Sequence, residues 1–259
     1  PGRMLRPSTF VRRKVVKEAL VNIRTRDGDM ETFTVTPNGG SPRPPVILYM
    51  DAPGIREELY GFARRIASEG YFVLLPDMYY RKGRLRFDLK TSDDAVQKSM
   101  FDAMYSLNNA LVMSDTEAML SWLDGQSDAR PGPVGCIGYC MSGQYVVSAA
   151  GTFPERIAAA ASLYGVSIVT DQPDTPHKLA NRIKGEVYFG FAAEDRWVPE
   201  NVIPDIKAEF DTHKVDYALD QWPGTGHGFC FPERDAYVEE AAEAVWEKVF
   251  ALYQRRLQN

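Results

Sequence analysis

The fold of this chain is indicated most clearly by the stretch Val134-Gly-Cys-Ile-Gly-Tyr-Cys140-Met-Ser-Gly143, which continues as Gln144-Tyr-Val-Val-Ser-Ala-Ala150. A short apolar run leads into a turn of small residues, with Cys140 at its apex. A segment compatible with a helix leaves the turn. The stretch therefore predicts a buried strand, a sharp turn and a helix.

The spacing of small residues around Cys140 is a variant of the Gly-x-Ser-x-Gly nucleophile elbow, with sulfur in place of the hydroxyl. The backbone at the apex of such a turn is strained, so the residues two before and two after it must be small. Gly138 and Ser142 both meet that requirement. The turn would hold the sulfur beyond the strand end and direct the first backbone N–H groups of the helix toward the group that the sulfur attacks.

A cysteine nucleophile needs a base within hydrogen-bond reach and an acid that orients the base. The chain has three histidines. We expect His177 and His213, which lie in polar segments, to face solvent. His227 lies in a glycine-rich loop directly after a predicted buried strand, where functional residues are common. The alternatives are that Cys140 is an ordinary buried cysteine and His227 a loop histidine without a role.

The acid is predicted in the segment Phe191-Ala-Ala-Glu194-Asp195-Arg-Trp-Val-Pro199, which follows another buried strand. We prefer Asp195 to Glu194, because one of two adjacent carboxylates must fold back toward the site while its neighbour faces solvent. Both residues being surface acids is the alternative. The chain order of nucleophile, acid and histidine is that of α/β-hydrolases.

Alternating strand and helix patterns predict a doubly wound, mainly parallel sheet flanked by helices, with an N-terminal antiparallel hairpin that turns at Asp27-Gly28. Beyond the hairpin and the strand before Cys140, we predict strands at residues 45–50, 71–75, 158–164, 185–191 and 217–222, and helices at 57–69, over most of 92–126 and at 234–257. Asp51, Cys140, Asp195 and His227 fall at the predicted carboxyl ends of strands, where such sheets place their chemistry.

Length and composition favour a single domain over residues 1–259, since 44% hydrophobic content allows one large core. The net charge of −5 without a basic stripe argues against a nucleic-acid partner. Three cysteines are too few for a disulfide framework, and no stretch approaches the roughly 18 apolar residues of a membrane span. We therefore expect a soluble, cytoplasmic protein. Met4 is a candidate natural start, which the sequence does not settle.

The same residues carry a resemblance to a known family. Gly138-Tyr-Cys140-Met-Ser-Gly143 is similar to the Gly-Tyr-Cys-x-Gly-Gly elbow of the dienelactone hydrolase family, a cysteine-nucleophile branch of the α/β-hydrolases. Asp195 falls in that family's Asp-x-x-Val-Pro pattern, His227 in its Gly-His-x-Phe pattern, and Pro76-Asp-Met-Tyr79 resembles its Pro-Asp-Leu-Tyr segment. The motifs keep their order from about Val46 to the C-terminus.

The resemblance implies an α/β-hydrolase fold and a Cys140-His227-Asp195 triad, with the backbone N–H groups of Met141 and Ala52 as the oxyanion hole. It implies hydrolysis of a small-molecule carboxylic ester or lactone through an acyl-thioester, of the carboxymethylenebutenolidase type. We expect no cofactor and no metal. Nothing in the sequence predicts the oligomeric state.

Three departures from the family pattern concern the site, and one of them is Ser142, which replaces the first of the two glycines after the elbow. Asp51 stands where the family has a longer glutamate that interacts with the resting cysteine, which puts that gating role in doubt. The family's two carboxylate-binding arginines are absent in register, one from the segment around Lys98 and the other where this chain has Phe231. Arg81, Lys98 and Arg234 are candidate replacements. Phe231 beside the site argues for a less charged substrate. Asp51, Arg81, Phe231 and Tyr164 are the predicted gating or substrate contacts.

Two further hypotheses stay open. The chain could be a non-hydrolytic ligand-binding or interaction protein that keeps the triad as a relic. A metal site built from Cys140, His227 and Asp195 is a weaker hypothesis, because the close ligand spacing typical of zinc is missing.

Overall fold

The computed structural model describes residues 16–90 and 93–258. Its eight strands are β1 (Val16–Thr25), β2 (Gly28–Pro37), β3 (Pro45–Tyr49), β4 (Phe72–Pro76), β5 (Val134–Tyr139), β6 (Ile157–Leu163), β7 (Glu186–Glu194) and β8 (Tyr217–Gly226). They form one sheet in the order β1-β2-β4-β3-β5-β6-β7-β8. β1 and β2 pair antiparallel, β2 pairs antiparallel with β4, and every other pair is parallel.

The helices are α1 (Glu57–Ser68), α2 (Asp94–Met104), α3 (Asn109–Leu123), α4 (Gly143–Thr152), α5 (Val202–Thr212) and α6 (Glu239–Leu257). Short 3₁₀ helices span Tyr80–Lys82, Cys140–Ser142 and Pro176–Arg182. The predicted architecture, a mainly parallel sheet flanked by helices and preceded by an antiparallel hairpin, is confirmed.

Two predicted helices have different bounds in the structure. The segment from 92 to 126 contains two helices, α2 and α3, which residues 105–108 separate. Ser92, where the predicted helix begins, lies outside the described residues. The C-terminal helix begins at Glu239 instead of Arg234. The backbone before it forms successive tight turns, and the N–H of Val238 donates to the carbonyl of Phe229. The apolar periodicity placed Val238 in the helix, but this hydrogen bond holds it in the turns before α6.

Helices cover both faces of the central strand β5. A side chain at Gly135 would come within 2.8 Å of Leu257 of α6, and one at Gly138 would come within 2.9 Å of Val146 of α4. Residues three apart on a strand point to opposite faces. α6 and α4 therefore lie on opposite sides of the sheet, and both approach β5 closely at glycines.

The strand order reverses direction between β3 and β5, since β4 lies beside β3 and β6 beside β5. This topological switch point is where doubly wound sheets form a crevice outside the carboxyl ends of their strands. Asp51 follows β3 and Cys140 follows β5 at this crevice, while Asp195 and His227 follow β7 and β8 at the same edge.

None of the helices in residues 16–90 and 93–258 is long and apolar enough to cross a bilayer. The same residues contain no group of three or more His, Cys, Asp and Glu arranged to hold a metal ion. Met4 lies outside the described residues, and the assignment of residues 1–259 to a single domain stays a prediction.

The approach of α4 to the segment after β6 makes Gly143 sensitive to substitution. A Cβ at Gly143 would lie 2.2 Å from the Cα of Gly165 and 2.6 Å from Ser162 Oγ, so backbone would have to move. We expect Gly143→Ala to lower the free energy of unfolding by about 1–3 kcal/mol, as overpacking does. Urea denaturation measures this change.

The matched control is Gly61→Ala, at an exposed position of α1 where a Cβ meets nothing within 4 Å. Alanine should stabilise that helix by roughly 0.5–1 kcal/mol relative to glycine. If Gly143→Ala were as stable as the wild type, the close approach of Gly143 to Gly165 would not restrict the size of the side chain at position 143.

Candidate active site

Cys140 occupies a strained turn between β5 and α4. Its φ is 53°, in the left-handed region that residues with a Cβ rarely adopt. Gly138 allows the turn, because a Cβ there would lie 2.7 Å from the carbonyl oxygen of Ser142. The carbonyl of Cys140 accepts a 3.0 Å hydrogen bond from the N–H of Val166, which ties the turn to the segment after β6. The surrounding structure thus holds the strained backbone in place.

Ser142 points away from the site. Its side chain is fully buried, and its hydroxyl donates to the carbonyl of Met50 at the end of β3. The residue that replaces the usual glycine therefore links the elbow to the neighbouring strand. The hydroxyl is occupied and does not compete with the Cys140 thiol for a position in the cavity.

His227 lies beside both predicted partners. Its Nδ1 donates to Asp195 Oδ2 at 2.7 Å, and the ring also hydrogen bonds to Cys140. With Nδ1 bound to the acid, Nε2 is the nitrogen available to the thiol. The other oxygen of Asp195 accepts the N–H of Trp197 at 2.9 Å, and the side chain of Asp195 is 3% exposed. The neighbouring Glu194 is exposed.

These contacts change the acidity of the imidazole. Burial opposes the charged form of His227, but the hydrogen bonds to Asp195 and Cys140, together with their negative charge, outweigh it and raise the pKa of His227 to about 9. A base in this position, oriented by an acid and beside a thiol, is the arrangement that a cysteine nucleophile requires.

Aromatic side chains brace this histidine. The Tyr164 ring packs edge-on against the His227 ring, with centroids 5.1 Å apart and planes at 67°. Tyr164 itself has a φ of 35°, and its N–H donates to the carbonyl of Gly190 at 2.6 Å. Burial raises the pKa of its hydroxyl. Phe231 is also buried and packs against Tyr139.

The predicted oxyanion donors lie close to the sulfur. Met141 directly follows Cys140 at the start of the 3₁₀ helix, where backbone N–H groups lack partners within the helix. Ala52 lines the same cavity as Cys140. The buried Tyr79 hydroxyl donates to the carbonyl of Ala52 at 2.8 Å and thereby restrains the backbone that follows the Ala52 N–H. The sequence motif that ends at Tyr79 does not by itself indicate this contact.

Asp51 is held by two arginines. Arg56 binds both carboxylate oxygens, at 2.5 and 3.2 Å, and Arg234 Nη2 lies 3.2 Å from Oδ2. Arg56 also binds Glu58 and Glu233, and the N–H of Glu233 donates to Glu58 at 3.0 Å. We call these five side chains the Arg56 cluster. The gating role of Asp51 stays a prediction.

Burial raises the pKa of Glu58 to about 7, helped by its contact with the second carboxylate, Glu233. The net charge of the Arg56 cluster therefore depends on whether the carboxyl pair of Glu58 and Glu233 holds a proton. Arg56 and Arg234 also lie over the ring of Phe231, with their guanidinium carbons 4.9 and 5.8 Å from its centroid.

Arg81 is in the wrong place for the substrate contact that we predicted. Its guanidinium forms a bidentate pair with Asp115 at 2.8 Å and a further ion pair with Asp27 at 2.7 Å. It does not line the cavity that contains Cys140. Lys98 points outward from α2 and pairs with Asp102, one turn away. Of the three candidate cations, the structure brings only Arg234 to the cavity.

A cavity of about 400 Å³ contains Cys140 and His227 in its lining. Asp51, Ala52, Tyr164, Phe231 and Arg234 line it beside them. Its remaining walls come mainly from α2 and from the segment after Asp195, and include Met100, Phe101, Met104, Tyr105, Arg196 and Trp197. The sequence analysis named no apolar residue of α2 as a site residue, because its apolar periodicity is equally typical of a helix that packs on the core.

The sequence model of the dienelactone hydrolase family matches residues 30–257 of this chain. The chain belongs to the dienelactone hydrolase family. A Synechocystis sp. protein with the name "Putative carboxymethylenebutenolidase" is 27% identical over 247 residues, which cover 93% of this chain and 98% of that protein. A Bradyrhizobium sp. protein named "Probable 2-oxo-3-(5-oxofuran-2-ylidene)propanoate lactonase" is 24% identical over 209 residues, covering 79% and 81%.

Solved structures share the fold. The crystal structure named "Putative Dienelactone Hydrolase" from Klebsiella pneumoniae superposes with a TM-score of 0.83 at 21% identity, covering 93% of this chain and 99% of that chain. A dienelactone hydrolase-like promiscuous phosphotriesterase from metagenomic libraries superposes with a TM-score of 0.77 at 21% identity, covering 93% and 99%. The predicted α/β-hydrolase fold and the predicted family are thus confirmed, and the chain is a hydrolase of the dienelactone hydrolase family.

The other two histidines of this dienelactone hydrolase family member differ in burial. His213 is exposed as predicted, but the prediction for His177 was wrong, since it is 6% exposed. The 3₁₀ helix around His177 packs on α4, where Gly151 allows a close contact with Leu179. His177 Nδ1 lies 3.1 Å from Thr175 Oγ1. Burial and the nearby Lys178 lower the pKa of His177.

The opposite pKa shifts of His227 and His177 predict opposite pH effects on stability. The folded pKa of His227, about 9, exceeds the unfolded value of about 6.5, so its stabilising charge is fully present below pH 6.5 and is lost as the pH rises through 9. We expect the difference in unfolding free energy between the wild type and His227→Gln to shrink by up to about 3 kcal/mol over that interval. Denaturant titrations at a series of pH values measure it.

His177→Gln is the matched comparison. Because the folded pKa of His177 is lowered, its contribution is present above the unfolded pKa and is lost as the pH falls. The stability of His177→Gln relative to the wild type should therefore rise in acid. A pH-independent effect of His227→Gln would contradict the raised pKa.

Proposed function

We propose that the chain hydrolyses a carboxylic ester or lactone with Cys140 as nucleophile, His227 as general base and acid, and Asp195 as the residue that orients His227. The observation that carries the proposal is the contact chain from Asp195 through His227 to Cys140 at the crevice of the sheet. The family membership and the names of the relatives support the ester or lactone as substrate class.

In the first half-reaction, Cys140 Sγ attacks the carbonyl carbon and its proton passes to His227 Nε2. The carbonyl oxygen becomes an oxyanion, which the N–H groups of Met141 and Ala52 stabilise. When the tetrahedral intermediate collapses, the bond to the alcohol oxygen breaks and His227 donates the proton to that oxygen. The products are the free alcohol and an acyl-thioester on Cys140.

In the second half-reaction, water attacks the thioester carbonyl and loses a proton to His227. Collapse of the second intermediate breaks the bond to sulfur and releases the carboxylic acid, and Cys140 is restored. The Asp195 carboxylate stabilises the imidazolium that forms in each half-reaction and keeps Nδ1 protonated, so Nε2 always faces the sulfur. Tyr79 binds the carbonyl of Ala52 and so limits the movement of the backbone next to the Ala52 N–H.

Removal of the thiol gives the direct test. Cys140→Ala should lower kcat/KM for p-nitrophenyl acetate by at least about 1,000-fold, since no other group replaces the nucleophile. The control is Cys136→Ala, because Cys136 is fully buried in β5 and burial raises the pKa of its thiol. The control should keep wild-type activity per folded molecule.

Hydrolysis that survives in Cys140→Ala would disprove the proposed nucleophile. An inactive wild-type protein whose Cys140 reacts with iodoacetamide no faster than a free cysteine would support the ligand-binding alternative, because a non-catalytic site needs no activated thiolate.

The adjacent carboxylates offer a second test. Asp195→Asn keeps the shape of the side chain but removes the charge that stabilises the imidazolium, and should lower kcat by roughly 100- to 10,000-fold. Glu194→Gln makes the same chemical change at the exposed neighbour and should leave kcat within about twofold. Steady-state kinetics of both variants on the same ester decide between the two acids, and equal losses would contradict the assignment of Asp195.

A further inference from the structure

An apolar wall faces the reacting groups across the cavity. We use this term for Met100, Phe101, Met104 and Tyr105 of α2 and its C-cap, together with Trp197. The rings of Phe101 and Trp197 have centroids 5.9 Å apart, and those of Phe101 and Tyr105 are stacked at 6.1 Å. Trp197 and Tyr105 are 43% and 73% exposed. Large exposed apolar side chains gathered at a cleft mark a binding surface.

The packing of α2 agrees with that role. Only Met100 and Ala103 of this helix are buried, so its apolar side is directed mostly at the cavity and only partly at the core. A helix that served the core alone would bury its apolar residues more completely. Phe101 and Met104 are half-buried, which leaves apolar surface for a ligand to cover.

The charge around the cavity does not favour an anion. In the described part of the chain, the charged side chains that line it are Asp51, Arg196, Arg234 and His227, and His227 is paired with Asp195. Arg234 is already paired with Asp51. The Arg56 cluster as a whole has three carboxyl groups and two guanidinium groups, so it supplies no net positive charge. Arg196 is exposed and lies over the Trp197 ring at 4.9 Å.

We infer that the substrate is an uncharged ester or lactone whose larger apolar group lies against the apolar wall. The inference rests on the proposed function and adds to it the class of substrate. Asp51 is the partner of Arg234 Nη2 and lines the same cavity, so its carboxylate would repel a substrate carboxylate bound at Arg234. An apolar group removes the exposed surface of Phe101, Met104 and Trp197 from water without breaking any ion pair.

Matched esters test the inference. Methyl butyrate and monomethyl succinate form one pair, in which the succinate ester has a terminal carboxylate on the acyl side. Butyl acetate and 4-acetoxybutanoate form the other pair, in which 4-acetoxybutanoate has a terminal carboxylate on the alcohol side. Methyl acetate is too small to reach the wall and serves as the reference. We expect the uncharged member of at least one pair to have a kcat/KM about tenfold higher or more, as measured by acid release in a pH-stat.

Variants of the wall locate the preference. Trp197→Ala and Phe101→Ala should each lower kcat/KM for the preferred uncharged ester by about tenfold and leave methyl acetate within about twofold. Met104→Lys should shift the ratio toward the charged member. Lys98→Ala, on the outward side of the same helix, should change none of these values. Ratios between substrates on one preparation do not depend on the folded fraction.

The two ways of failing are distinct. In the first, methyl acetate is hydrolysed and its hydrolysis needs Cys140. Preference for the charged esters, or substrate ratios that are unchanged in Trp197→Ala, Phe101→Ala and Met104→Lys, would then overturn the inference and leave the proposed function standing. In the second, no ester is hydrolysed in a way that needs Cys140, and this result would overturn both the inference and the proposed function.

Discussion

The backbone conformation of Cys140 is the constraint on which the site depends. A residue with a Cβ adopts a φ of 53° only when the surroundings enforce it. Here the enforcement comes from contacts that only small residues permit: Gly138 against the Ser142 carbonyl, and Gly143 against Gly165. The Ser142 hydroxyl adds a bond to the neighbouring strand. The elbow is therefore constrained on both sides, and its sulfur has a fixed position at the crevice of the sheet.

Two sets of ion pairs lie at the cavity that contains this sulfur. On one side, Asp195 and His227 form a short charge-assisted hydrogen bond that favours the imidazolium. On the other side, Arg56 and Arg234 hold the Asp51 carboxylate. Each set contributes residues to the lining of the cavity that contains Cys140. In each, a carboxylate with little exposure has a cationic partner, which offsets the cost of placing its charge in a partly buried site.

The prediction of the fold from the sequence succeeded where the pattern was local. The strand before Cys140 and the turn at Asp27-Gly28 depend on neighbouring residues, and the structure has both. The start of α6 was misplaced, because the contact between Val238 and Phe229 outweighs the local periodicity. The burial of His177 was missed for a similar reason, since a polar segment gives no indication that it will pack on α4.

The sequence by itself determined the fold class, the family and the candidate triad, because small residues at fixed spacing and the order of Cys140, Asp195 and His227 are properties of the chain. Only the tertiary structure decided which cations reach the cavity. Arg81 and Arg234 are equally plausible in the sequence, but the fold pairs Arg81 with Asp115 and Arg234 with Asp51. Ion pairs between segments distant in the chain depend on how those segments pack, and no local pattern encodes that packing.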